Sequence, residues 1–131
     1  MTLDELVEAI NRLSDEDEDL EVITGYLNDA IAEINVFCDA NFPFFNVNDT
    51  SRDYNGFPEK WQRALLIPYA VGRVKQMDSS QFEYSDAYAQ FYANLEQFRA
   101  KYPIPEEYQD PFVKPKRVQE DFYNNMFAWN R

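Results

Sequence analysis

Apolar residues recur at three- and four-residue steps over most of the chain, the period of a helix with one buried face. Leu3, Leu6, Val7, Ile10 and Leu13 open the pattern. They follow Thr2-Leu3-Asp4-Glu5, where the Thr2 hydroxyl can accept from the Glu5 amide while the Glu5 carboxylate reaches back. An amphipathic helix of about 11 residues is expected. Leu20, Ile23, Leu27, Ile31, Ile34 and Cys38 continue in the same steps and predict a second helix running to about Asn41. Phe42-Pro43 should stop it, because a residue before proline avoids the helical region.

Pro58 suits the first position of a third helix. Within it Trp61, Leu65, Pro68 and Gly72 line up beside Ala64, Ile67, Val71 and Val74, an apolar face broad enough for the central helix of a bundle. Pro68 falls inside this helix and predicts a kink, and Gly72 would let a neighbour approach closely. A fourth helix carries Tyr84, Tyr88, Phe91, Leu95, Phe98 and Tyr102 in 4-3-4-3-4 spacing, a seam read as core and not as a cofactor site. Tyr92 lies off that seam and marks a second contacting face.

Two segments break the period. Residues 43–57 are dense in turn formers, and a connection this long without its own helix is usually functional or mobile. Phe42, Phe44 and Phe45 either fold back to cap the bundle or contact a partner. Pro103, Pro105, Pro111 and Pro115 then forbid a continuous helix and favour an extended strap. Beyond it Val118, Phe122, Met126 and Trp129 return to helical spacing, flanked by Lys114, Lys116, Arg117 and Arg131. This amphipathic end docks either on its own bundle or in a groove of another chain. The expected fold is all-α: a small bundle of about four helices over residues 1–102, with a long loop between the second and third helices. An irregular, Pro-rich C-terminal tail, residues 103–131, would hold one short amphipathic helix.

Composition narrows the chemistry. The 131 residues contain no His, one Cys and three Gly, and 12 bases against 24 acids give a net charge of −12. A single Cys cannot form an intrachain disulfide, and without His there is no imidazole base or His-ligated metal. The isolated glycines form no phosphate-cradling loop. Asp15-x-Asp17-x-Asp19 begins like a calcium loop but has Leu20 and Tyr26 where Gly and a bidentate Glu are needed; Asp49-x-Ser51-x-Asp53 fails likewise at Tyr54 and Lys60. Cys38 sits on the apolar stripe and reads as a core residue. No enzymatic activity, metal or cofactor is expected. The excess acid is local: residues 1–60 carry three bases and 15 acids, and the remainder nine of each. Such a half repels nucleic acid and anionic lipid. No run of 18 apolar residues exists and the acidic start does not suit a signal peptide, so a soluble intracellular product is expected.

The arrangement resembles a known family. A short capped helix, the acidic turn Asp15 to Asp19, a long helix with Tyr26-Leu27-Asn28-Asp29-Ala30-Ile31-Ala32-Glu33-Ile34, a long loop, and Pro58-Glu59-Lys60-Trp61-Gln62-Arg63-Ala64-Leu65-Leu66 with Tyr69 and Arg73 further on carry the likeness. Over residues 2–102 the chain is similar to the small helical head-to-tail connector proteins of tailed bacteriophages, also called head completion or adaptor proteins, particularly those of prophages in Bacillus-type bacteria. The resemblance implies a homo-oligomeric ring beneath the portal protein that extends the DNA channel and docks a stopper or tail-completion protein. DNA would pass without specific binding. The protein would reside in the cytoplasm of the bacterial host and in the virion of a functional phage.

The loop and tail are the contact elements that the resemblance implies. Here they supply Phe44, Phe45, Arg52 and Tyr54 from the loop and Phe112, Lys114, Lys116, Arg117, Phe122, Met126 and Trp129 from the tail. Asp15, Glu16, Asp17, Glu18 and Asp19 are candidate channel-lining or subunit-pairing acids. The competing expectations are an acidic decoy that imitates DNA and a general protein-interaction module.

Overall fold

A computed structural model describes residues 1–77 and 81–112, with the side chains of 81–84 left aside. It is all-helical apart from two isolated antiparallel bridges, Thr2 with Asp53 and Ala40 with Gln109. α1 (Leu3–Ser14) starts at the expected capping box: the Thr2 hydroxyl accepts from the Glu5 amide at 3.1 Å, and the Glu5 carboxylate accepts from the Thr2 amide at 3.0 Å. Leu3, Leu6 and Ile10 are buried as the period requires, but Leu13 is 59% exposed. The buried places near that end go to Ala9 and to Ser14, whose hydroxyl donates to the Ile10 carbonyl at 2.7 Å.

α2 (Leu20–Cys38) buries Ile23, Leu27, Ile31, Ile34 and Cys38. It ends three residues before the expected stop at Asn41. Asp39 turns left-handed at φ 52°, which a short polar side chain tolerates, and the chain leaves the helix there. Phe42-Pro43 is therefore already in the loop, held by tertiary contacts that no local pattern announces.

The third helix is one run in three parts: α3 (Glu59–Trp61), a π-helical segment (Gln62–Leu66) and α4 (Ile67–Met77). Pro58 stands one residue earlier than expected, as the extended N-cap residue before Glu59. The disturbance expected at Pro68 is resolved upstream by the wide π turn. Pro68 has no N–H, so the Ala64 carbonyl one turn back loses its ordinary donor. Asn94 of the next helix supplies a replacement, donating from Nδ2 to the Ala64 oxygen at 2.9 Å.

α4 is central, packing on α1, α2 and α5. Gly72 allows the approach of α5 (Gln81–Lys101), since a Cβ there would lie 3.2 Å from both the Ala87 Cβ and the Tyr88 ring. Phe91, Leu95 and Phe98 of the aromatic seam are fully buried, Tyr88 and Tyr102 are half-buried, and the side chain of Tyr84 lies outside the described residues. The start of α1 meets the start of the third helix, where the Met1 amino group reaches Gln62, and Phe42 after α2 meets Phe98 near the end of α5. The acidic turn thus lies at one end of the bundle, and the long loop meets the strap after Lys101 at the opposite end.

Asn94→Ala should cost about 1 kcal/mol by leaving a part-buried carbonyl short of a donor. Pro68→Ala, which restores an N–H at that point, should shrink the loss. Chemical denaturation of both single variants and the double variant measures the coupling, and an undiminished loss in the double variant would break the link between Pro68 and Asn94.

Candidate interaction surface

The loop between α2 and α3 has neither helix nor ladder, so its backbone polar groups need partners from elsewhere. Two asparagines one heptad apart on α2 provide them. Asn35 accepts from the Phe42 N–H at 2.8 Å and donates to the Phe42 carbonyl at 3.3 Å. Asn28 treats Phe45 the same way, at 2.8 Å and 3.1 Å. Each amide therefore holds both backbone groups of one residue. Further along, Asp4 N–H donates to the Thr50 carbonyl and Tyr54 N–H to the Met1 carbonyl, which ties the loop to the start of α1.

The clamps sort the aromatic residues. Phe42 is buried against Phe57, Phe98 and Tyr108, with ring centroids 5.1, 6.0 and 5.5 Å away. Phe45 stacks on Tyr54 at 4.6 Å, and the Tyr54 hydroxyl donates to the Pro43 carbonyl at 2.8 Å. Both rings face the bundle. Phe44, between the two clamped residues, points to solvent and is 56% exposed. Arg52 is exposed as well, 3.7 Å from Asp49. Of the three phenylalanines, Phe42 and Phe45 fold back to close the bundle end, and Phe44 does not.

Gln62 anchors the same end from inside. Almost fully buried, it accepts from the Met1 amino group at 2.9 Å and donates to the carbonyls of Phe57 at 2.8 Å and Tyr54 at 3.3 Å. The strap closes over the top. Asn41 N–H donates to the Tyr108 carbonyl, Asp110 N–H to the Asp39 carbonyl, and the Tyr108 hydroxyl to the Asn55 carbonyl. Phe112 is 94% exposed. Lys114, Lys116, Arg117, Phe122, Met126 and Trp129 lie outside the described residues.

At the other end, Asp15 turns left-handed at φ 56° to close α1. Asn11 then accepts from the Glu18 N–H at 3.0 Å and donates to the Glu18 carbonyl at 3.2 Å. Asp15, Asp17 and Asp19 are exposed, while Glu16 and Glu18 are half-buried. Asp19 is the N-cap residue of α2, although its side chain makes no capping bond.

Between the ends, Arg73 joins α4 to α2. Its guanidinium donates to Asp29 at 2.9 Å and to the Tyr69 hydroxyl at 3.1 Å, and it lies 4.6 Å over the Tyr26 ring. Burial pushes the Cys38 thiol up to about 11 and raises the phenols of Tyr54, Tyr69, Tyr88 and Tyr102. A thiol so placed is a poor nucleophile at neutral pH. Among the described residues no group of three or more His, Cys, Asp or Glu could hold a metal ion, and no helix is long and apolar enough to cross a membrane. What the surface offers is a pre-shaped loop, an acidic turn and scattered exposed apolar side chains. No family model, curated protein or solved structure matches the chain.

Asn28→Ala should free the Phe45 N–H and carbonyl together, lowering stability by about 1–3 kcal/mol. Hydrogen exchange should show a faster Phe45 amide while the Ile31 amide keeps its protection; equal deprotection of both would mean that the clamp serves the helix instead of the loop. A second expectation concerns alkaline pH. The Cys38 thiol is raised from 9.0 to about 11, so the fold favours the protonated form. The resulting stability is complete below pH 9.0 and is lost between there and pH 11. The thiol's share is up to about 3 kcal/mol, and denaturation midpoints measured across that range should fall less steeply in Cys38→Ala.

Proposed function

We propose that this protein is a structural, non-catalytic head-to-tail connector of a phage or prophage. In this role it joins a ring under the portal, extends the DNA channel and docks the stopper or tail. The observation that carries the proposal is the exposed Phe44 ring, set between two backbone positions that Asn28 and Asn35 hold fixed. A contact residue on backbone already fixed costs little ordering when a partner binds. The separation of unlike ends adds support. A closed ring needs two different complementary faces on each subunit, and the bundle has an acidic turn at one end and an aromatic loop with Arg52 at the other. In the ring, the acids of residues 15–19 either meet a neighbour or line a channel whose charge keeps DNA phosphates from adhering.

Phe44→Ser should leave the unfolding free energy unchanged within about 0.5 kcal/mol, as for other exposed positions, while removing ring formation and binding to the portal. Electron microscopy and size-exclusion chromatography with purified portal read both. A wild-type protein that forms no ring and ignores the portal, yet displaces duplex DNA from a basic partner, would establish the acidic decoy in its place.

A further inference from the structure

α2 and α5 both pack on α4 but touch each other little, which leaves a trough between them. Its walls are Ala32, Val36 and Phe37 on α2 and Tyr92 on α5, with Leu95 at the floor, and its cavity is about 400 Å³. Val36 is 81% exposed and Tyr92 51%, so apolar surface stands open to water along the trough. Past Phe37 the trough continues between that ring and Glu96, Arg99 and Ala100. Tyr92 to Ala100 is eight residues of helix, roughly 12 Å.

The path of the chain delivers a candidate occupant to this place. Gln109 pairs with Ala40, and the Asp110 N–H donates to the Asp39 carbonyl at 3.3 Å. Asp39 caps α2 only two residues beyond Phe37, so the chain passes the mouth of the trough as it leaves the described bundle. Residues 113–131 then follow, with Val118, Phe122, Met126 and Trp129 in 4-4-3 steps that place them on one face of a helix. Five extended residues reach about 17 Å and twelve helical ones about 18 Å, enough to enter the trough and run its length.

Charge agrees with this occupant. Residues 113–131 hold four bases and two acids, whereas residues 1–112 hold eight bases and 22 acids. Glu33 and Glu96 stand along the trough, opposed there by Arg99, which lies 5.0 Å over the Phe37 ring. Lys114, Lys116 and Arg117 come immediately after the exit beside Asp39.

We propose that residues 113–131 dock as an amphipathic helix in the α2–α5 trough of their own molecule. Val118, Phe122, Met126 and Trp129 cover Val36, Phe37 and Tyr92, above the buried Leu95. The inference is independent of the connector role, because it concerns a contact within a single chain.

Nuclear magnetic resonance of the full chain tests it. A spin label is attached to Met126→Cys; Cys38, buried and with its thiol raised, escapes the reagent. The Val36 and Leu95 methyl signals should lose most of their intensity, and Val36→Asp, a change at an exposed position, should restore the Leu95 signal. In a mixture of spin-labelled chains with isotope-labelled chains that lack the spin label, the loss should vanish. A loss seen only in the mixture would assign the trough to a neighbour's segment, and no loss in either sample would place residues 113–131 elsewhere; both outcomes overturn the proposal.

Discussion

Backbone N–H and C=O groups that leave regular structure still require partners, and in this protein amide side chains provide them at several of the irregular points. Asn11 holds both backbone groups of Glu18 in the first turn, Asn35 those of Phe42, and Asn28 those of Phe45. Asn94 replaces the donor that Pro68 lacks, and Gln62 gathers the carbonyls at the foot of α3. A carboxamide suits this task because it carries donor and acceptor side by side and matches one residue's backbone pair without adding charge. As a result, no buried side-chain polar atom among the described residues lacks a partner.

The shape of the exposed loop depends on that constraint. A loop of this length on a small bundle would ordinarily lose much of a partner's binding energy to ordering. Fixed at Phe42 and Phe45, it presents Phe44 in a set direction while its other rings join the core. Phe42, Phe57, Phe98 and Tyr108 meet edge-on or tilted around one point, so the loop, α5 and the strap share a single aromatic cluster. Removing a ring there disturbs the contact surface and the bundle end together. The opposite end is built differently, from a tight turn that exposes Asp15, Asp17 and Asp19. The two ends of this small domain thus differ in chemistry, one aromatic and one acidic.

Helix existence and type were legible from hydrophobic period alone, because burying one face of a helix requires apolar residues at three- and four-residue steps. The capping box, the central placement of the third helix, the close approach at Gly72 and the core role of Phe91, Leu95 and Phe98 all follow from local spacing. Boundaries were less legible. The end of α2 at Cys38, the exposure of Leu13 and the π-helical answer to Pro68 depend on groups distant in sequence. An asparagine on a helix face looks like ordinary solvent-facing polarity until the loop it clamps is in place.

By itself, then, the sequence determined an all-helical bundle, its capped start, its apolar stripes and the concentration of acid in the first 60 residues. These are properties of composition and of neighbours within a turn or two. Only the tertiary structure decided which of the loop phenylalanines faces water, which carbonyl Asn94 serves, and where α2 and α5 part to leave an apolar trough. Those outcomes arise where segments far apart in the chain compete for the same space and the same hydrogen bonds, and no one-dimensional period encodes that competition.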